Sequence, residues 1–191
     1  MKFWIKNNYD ETAVLNGCRN GNSKSQELLY KTFAPTMFAI CLRYSADYPQ
    51  AEDMLQEGFI KVFQNIGKFR SEGSFEGWLK RIFVNTALEW LRKNGTMNKM
   101  MDVEYFKDEL IQEDAFHELS KNDLMRLIQS LSAGYRTVFN LYAIEGYTHK
   151  EIGNMLGISE GTSKSQFARA RYILQRMVIH SNKTRYAAAV L

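Results

Sequence analysis

The basic residues toward the C-terminus are spaced to read a nucleic acid. Lys164, Ser165, Ala168, Arg169, Tyr172 and Arg176 fall on one side of a helical repeat, and from Gly161 to Arg185 the chain carries no acid. Thr162, Lys164 and Ser165 stand at the start of that repeat, where a helix laid in a major groove meets base edges. The arginines further along suit phosphates. A second set lies on residues 75–93, where Lys80, Arg81, Val84, Asn85, Leu88 and Arg92 share a face. Cations for phosphate, an amide for base edges and apolar atoms for unstacked bases would all be used by a nucleic-acid surface. Just before it, Phe69-Arg70-Ser71-Glu72-Gly73-Ser74 reads as a polar loop bounded by aromatics. It is either a plain connector or a receiver for an unstacked base. A third set has a different character: Asp53, Gln56 and Glu57 surround Ile60. One exposed isoleucine is ordinary, but among acids and amides it suggests a surface for a partner helix.

Catalytic chemistry finds no support. No nucleophile–base pair, phosphate-binding glycine loop or metal-ligand cluster stands out, so no cofactor and no metal are expected. His117, His149 and His180 form no ligand spacing, and His149 reads as a solvent-facing helix residue. Cys18 and Cys41 are too few and too far apart for a cluster and are expected to be free thiols in a reducing compartment. No apolar run is long enough to span a bilayer and the first ten residues lack a secretion signal, so a cytoplasmic protein without membrane insertion is expected.

The elements that must position these sets are helices. Apolar residues recur every three or four positions, and no stretch alternates strictly. From Ala51 to Ile66, after Pro49, the buried side is expected to comprise Ala51, Met54, Leu55, Phe59, Val62, Phe63 and Ile66. A helix capped by Ser74 runs to Lys93 with Phe75, Trp78, Leu79, Ile82, Phe83, Thr86 and Trp90 inward. Thr148-His149-Lys150-Glu151 is a capping box that opens a short helix with Ile152, Met155 and Leu156 buried. Gly157 suits a left-handed helix end, and Ser159 caps the next helix. That helix buries Ser163, Phe167, Ala170, Leu174 and Met177. A short helix, a tight turn and a longer basic helix make a DNA-reading helix-turn-helix.

Charge divides the 191 residues further. The net charge of +4, from 25 basic and 21 acidic side chains, suggests only a mild preference for anions. By position it is uneven. Asp102, Glu104, Asp108, Glu109, Glu113, Asp114, Glu118 and Asp123 lie between the two basic regions, opposed only by Lys107 and Lys121. With the turn signal Asn94-Gly95-Thr96 and weak periodicity, this predicts a flexible acidic linker over 96–117. The expected fold is all-α: two small helical domains, 10–95 and 118–180, the second a helix-turn-helix, with Tyr186 to Leu191 frayed. On the residues alone, a regulator that binds duplex DNA by itself stays open beside a two-surface DNA-binding protein. It leaves Ile60 among acids and the second basic face unexplained.

The chain resembles a small bacterial RNA polymerase sigma factor of the extracytoplasmic-function (ECF) group of the sigma-70 family, over about residues 10 to 180. Three stretches carry the resemblance: Ala51 to Phe63 (AEDMLQEGFIKVF), Phe75 to Thr86 (FEGWLKRIFVNT), and Gly146 to Gly153 (GYTHKEIG) continued at Gly161 to Ser165 (GTSKS). It implies a subunit that binds core RNA polymerase and directs it to specific promoter DNA, and that is not an enzyme. By resemblance Asp53, Gln56, Glu57 and Ile60 meet the clamp helices of the polymerase. Phe69, Arg70, Ser71, Ser74, Phe75, Arg81 and Asn85 match the region that holds the melted minus-ten element. Thr162, Lys164, Ser165, Ala168, Arg169 and Arg176 match the part that meets the minus-thirty-five element. The pattern departs at Ser163, usually a branched apolar residue, and at Gln166 and Ala168. Many members are held inactive by an anti-sigma factor, which an acidic connector would permit. Lys2 to Asn8 lie outside the resemblance.

Overall fold

The computed structural model describes residues 10–93 and 121–189, with side chains over 10–93 and 123–179. The expected linker, 96–117, and the helical pattern expected from Phe116 to Ser120 lie outside the described residues, as do residues 1–9. Every regular element among the described residues is helical. The chain divides into two compact units, at Trp90/Leu91.

In the first unit, α1 (Glu11–Arg19) starts at Asp10, whose carboxylate accepts the Thr12 amide, and α2 (Ser23–Tyr44) starts at Asn22, which accepts from Ser25. Each cap satisfies an amide that the first helical turn leaves without a partner. The next helix, α3, spans Tyr48–Asn65, three residues earlier than the expected start at Ala51. The cause is Asp47, whose carboxylate accepts the Gln50 amide at 2.9 Å and leaves Pro49 inside the first turn. A short 3-10 turn, Ile66–Lys68, leads into the loop before α4 (Phe75–Lys93). Ala51, Met54, Leu55, Phe59, Val62 and Ile66 are buried as their spacing predicts, while Phe63 is half-buried. The core joins helices through rings: Phe33 meets Phe75 at 5.7 Å and Phe59 meets Phe83 at 5.2 Å. Aromatic pairs of this kind add specific geometry to a large apolar burial.

Both cysteines belong to this core as free thiols, and burial pushes them up to about 11 for Cys18 and about 12 for Cys41. The thiolate, the reactive form, is therefore disfavoured at both.

The second unit comprises α5 (Lys121–Ser130), α6 (Ala133–Phe139) with a π-helical turn over Asn140–Ile144, α7 (His149–Leu156) and α8 (Glu160–Ala189). Leu131, Ala170 and Leu174 are buried together, with Leu127, Tyr135, Phe139 and Ile173 packed against them. The buried Arg136 donates to the Gln129 carbonyl at 2.8 Å and so ties α6 to the end of α5. The backbone of α8 is helical through Ala189.

Candidate interfaces for polymerase and DNA

On α3 the mixed face stands as expected. Asp53, Gln56 and Ile60 are exposed, Ile60 by 57%, and Glu57 is half-buried. Lys61 donates to Glu57 at 2.9 Å and to Glu89 of α4 at 2.8 Å. Partial burial opposes the charge on Lys61, but the hydrogen bonds to Glu89 and Glu57 outweigh it and raise its pKa. The Glu57 carboxylate is thus held in place by a cation that also fastens α3 to α4. No signal in the sequence joined Lys61 to Glu89, which are 28 residues apart.

The face expected on α4 is narrower than its sequence pattern. Arg81, Asn85 and Arg92 are exposed and Lys80 is half-buried, paired with Glu76 at 2.9 Å. Val84 and Leu88, expected to meet bases, are each only 1% exposed. They belong to a buried arc with Leu79, Phe83, Ala87 and Leu91 that wraps more than half of the helix. Burying that much apolar surface outweighs displaying it.

The loop before α4 is likewise corrected. Phe69 and Phe75 are 7% and 2% exposed. Their rings lie 5.2 Å apart, and each is 5.5 Å from the half-buried Trp78. They anchor the two ends of the loop and are not open for a base to stack on. Arg70, Ser71 and Ser74 are exposed, and Ser74 Oγ accepts the Gly77 amide at 3.1 Å, the expected cap. The surface a nucleotide could meet here is polar: Arg70, Ser71, Ser74, Arg81 and Asn85.

In the second unit the helix-turn-helix forms as its capping signals predict. Glu151 and Thr148 cap each other, with the Thr148 amide donating to Glu151 at 2.8 Å. These hydrogen bonds from Thr148 hold the Glu151 carboxyl below the usual carboxylate range. Gly157 ends α7 at φ 70°, a left-handed conformation that favours glycine, and Ser159 Oγ accepts the Thr162 amide at 2.9 Å to start α8. Lys164, Ser165 and Arg176 are exposed, while Thr162, Ala168 and Arg169 are half-buried. The Arg169 guanidinium lies 5.4 Å from the Tyr172 ring centre. Arg171, not singled out by the sequence pattern, is exposed as well. Lys164 pairs with Glu160 at 2.7 Å, one turn back. Such an exposed pair contributes little to stability and exchanges readily for a phosphate.

His149 is not solvent-facing. Its ring stacks on Tyr142 at 4.2 Å, its Nδ1 lies 2.9 Å from Ser163 Oγ, and Phe167 closes on both. Burial and the nearby Lys164 charge lower its pKa, against the opposing charge of Glu160. The bond to His149 explains how a serine serves at buried position 163, where the sigma-factor pattern has a branched apolar residue. Among the described residues no group of three or more His, Cys, Asp or Glu could hold a metal ion.

The described residues thus carry an exposed face of acids, amides and Ile60 on α3, an exposed polar and basic face at α4 and its preceding loop, and a helix-turn-helix with exposed cations on α8. Comparison with known proteins sharpens this. Residues 29–96 match the family model for sigma-70 region 2 and residues 121–174 that for sigma-70 region 4. The chain is 31% identical over 170 residues to the ECF RNA polymerase sigma factor SigE of Mycolicibacterium smegmatis, covering 86% of this chain and 66% of the relative. It is 31% identical over 154 residues to the ECF RNA polymerase sigma factor SigW of Bacillus subtilis, covering 74% of this chain and 82% of the relative. Among solved structures, the sigma factor RpoE of Bartonella quintana, in complex with the anti-sigma factor NepR, has the same fold. The TM-score is 0.50 at 24% identity, over 80% of this chain and 95% of that one. The chain belongs to the ECF sigma factors of the sigma-70 family, which bind core RNA polymerase and direct it to specific promoters for transcription initiation.

Proposed function

We propose that this chain performs that task through three separate surfaces and without a covalent step. The face of α3 bearing Asp53, Gln56, Glu57 and Ile60 docks on the clamp helices of the polymerase. The start of α8 enters the major groove at the minus-thirty-five element, with Thr162 and Ser165 at base edges and Lys164, Arg169 and Arg176 toward phosphates. The exposed residues Arg70, Ser71, Ser74, Arg81 and Asn85 receive the melted minus-ten strand. Two tethered contacts raise each other's effective concentration, so sites that are individually weak become selective together. Opening the duplex costs a few kcal/mol for each unstacked base, and capture near Asn85 offsets part of it.

The observation that carries this reading is Ile60, 57% exposed among acids and amides within the region 2 match. Run-off transcription with core polymerase over a random promoter library tests it: transcripts that need this protein establish the role and report the promoter. Among the described residues no helix is long and apolar enough to cross a membrane. The reading places the protein in the cytoplasm, with the polymerase and the chromosome. It includes restraint by an anti-sigma factor, the kind of partner solved with RpoE of Bartonella quintana.

Two expected results follow from the DNA surfaces. With Asn85→Ala, promoter opening falls about ten-fold and minus-ten base changes lose much of their effect, as expected for one lost base contact. Affinity for a minus-thirty-five fragment is unchanged, and an equal loss on that fragment would remove the assignment. With Lys164→Ala, minus-thirty-five affinity falls and the slope of log affinity against log salt drops by about 0.9, the release of one counterion. A slope identical to the parent would show that Lys164 meets no phosphate.

A further inference from the structure

The loop from Phe69 to Ser74 is held from outside itself. Arg19, the last residue of α1, donates from Nη2 to the Phe69 carbonyl at 2.9 Å, across 50 residues of sequence. Its Nη1 donates to Asn16 Oδ1, also at 2.9 Å, so the guanidinium is oriented before it reaches the loop. The Phe69 amide donates back to Ile66, and the Phe69 ring is fixed against Phe75 and Trp78. Two residues on, Ser71 has φ 59°, a left-handed conformation that a serine seldom adopts. A residue is kept there only when its surroundings over-determine the backbone. Pinning at Phe69 on one side and the Ser74 cap on the other supplies that constraint and leaves Arg70, Ser71 and Ser74 exposed between them. Arg19 lies ahead of the region 2 match, which starts at residue 29.

We infer that Arg19 is a positioning residue for minus-ten recognition, holding the Phe69–Ser74 loop in the conformation that accepts the melted strand. It touches no nucleotide itself. Its effect is pre-organisation: a loop already in its binding conformation loses less conformational freedom when the strand arrives. The inference rests on the proposed assignment of this loop to the minus-ten element.

The test uses holoenzyme assembled from core polymerase and full-length chain, titrated on a promoter duplex whose minus-ten segment is pre-melted. Arg19→Ala is expected to weaken binding about ten-fold, the equivalent of roughly 1.4 kcal/mol, or one hydrogen bond from a charged donor. Arg19→Lys, which keeps a single donor, restores part of it. Affinity for core polymerase, affinity for a minus-thirty-five fragment and the thermal midpoint stay at parental values. If all of these fall together with Arg19→Ala, the residue serves stability alone and the inference is overturned. Parental affinity of Arg19→Ala, with a loss for Arg70→Ala or Asn85→Ala, overturns the role of Arg19 and leaves the loop assignment standing. Parental affinity for all three variants overturns both.

Discussion

Combining Glu57→Lys with Ile60→Asp is expected to abolish co-purification with core RNA polymerase while the helical circular dichroism of the protein is retained. Ile60 is a large apolar side chain exposed beside Asp53, Gln56 and Glu57 on α3, and a partner that covers it gains its full burial. Aspartate at that position removes the gain and adds a charge to be desolvated. Glu57 is held in place by Lys61, which is shared with Glu89. Reversing its charge sets two like charges one turn apart and presents a cation where the polymerase would meet an anion. Central apolar anchors and charge pairs at interfaces each contribute about 2 kcal/mol or more, so together the affinity should drop about a thousand-fold or further. Lys61 keeps Glu89, so the link between α3 and α4 survives and the fold should persist. Unchanged co-purification would show that this face is not the docking surface.

The second large effect is expected in the other unit. Gly153→Val should unfold the helix-turn-helix and eliminate minus-thirty-five binding, while core-polymerase binding through α3 remains. A Cβ at Gly153 would lie 2.8 Å from the Ile158 carbonyl oxygen and 3.6 Å from both the Glu160 nitrogen and the Ser159 carbonyl carbon. These are backbone atoms of the turn, so no side chain can swing aside. The Ile158 amide also donates to the Gly153 carbonyl at 3.0 Å, which holds the turn against α7. Any displacement carries the Ser159 cap and the first turn of α8 with it, and Lys164 and Ser165 leave their register. Alanine would recover about 1 kcal/mol of helix propensity against an overpacking cost of about 1–3 kcal/mol, so valine gives the cleaner result. Parental affinity of Gly153→Val for a minus-thirty-five fragment would show that the turn can yield. The thermal transition of this unit should fall by about 4–8 °C for each kcal/mol lost.

Much of the architecture was legible in local signals. Ser74, Ser159 and the Thr148–Glu151 pair cap the helices they were expected to cap, because a cap involves atoms within about four residues of one another. The inward stripe of α3 and the exposure of Ile60 also follow from helical spacing. A helical wheel assigns a face, however, only when one side of the helix is buried. On α4 the buried arc is too wide for that, and Val84 and Leu88, which the wheel places on the display face, are core. The aromatics that bound the loop looked available to bases for the same reason, since sequence marks Phe69 and Phe75 as loop edges but not which way their rings turn.

By itself, then, the sequence determined an all-helical chain, its helix starts, the segregation of basic and acidic surface, and the resemblance that led to a sigma factor. Those properties depend on residue type and on neighbours a few positions away. Tertiary structure decided what depends on distant partners. It turned Phe69 and Phe75 inward and joined Arg19 to a carbonyl 50 residues on. It linked Lys61 to Glu89 and placed His149 between Tyr142 and Ser163. It also brought the turn at Ile158 against Gly153 so closely that only glycine fits. Helical periodicity states which side of a helix is apolar. Only the packing of one helix on another states which atoms meet, because contact depends on crossing geometry and on distances of a few ångströms that no single segment encodes.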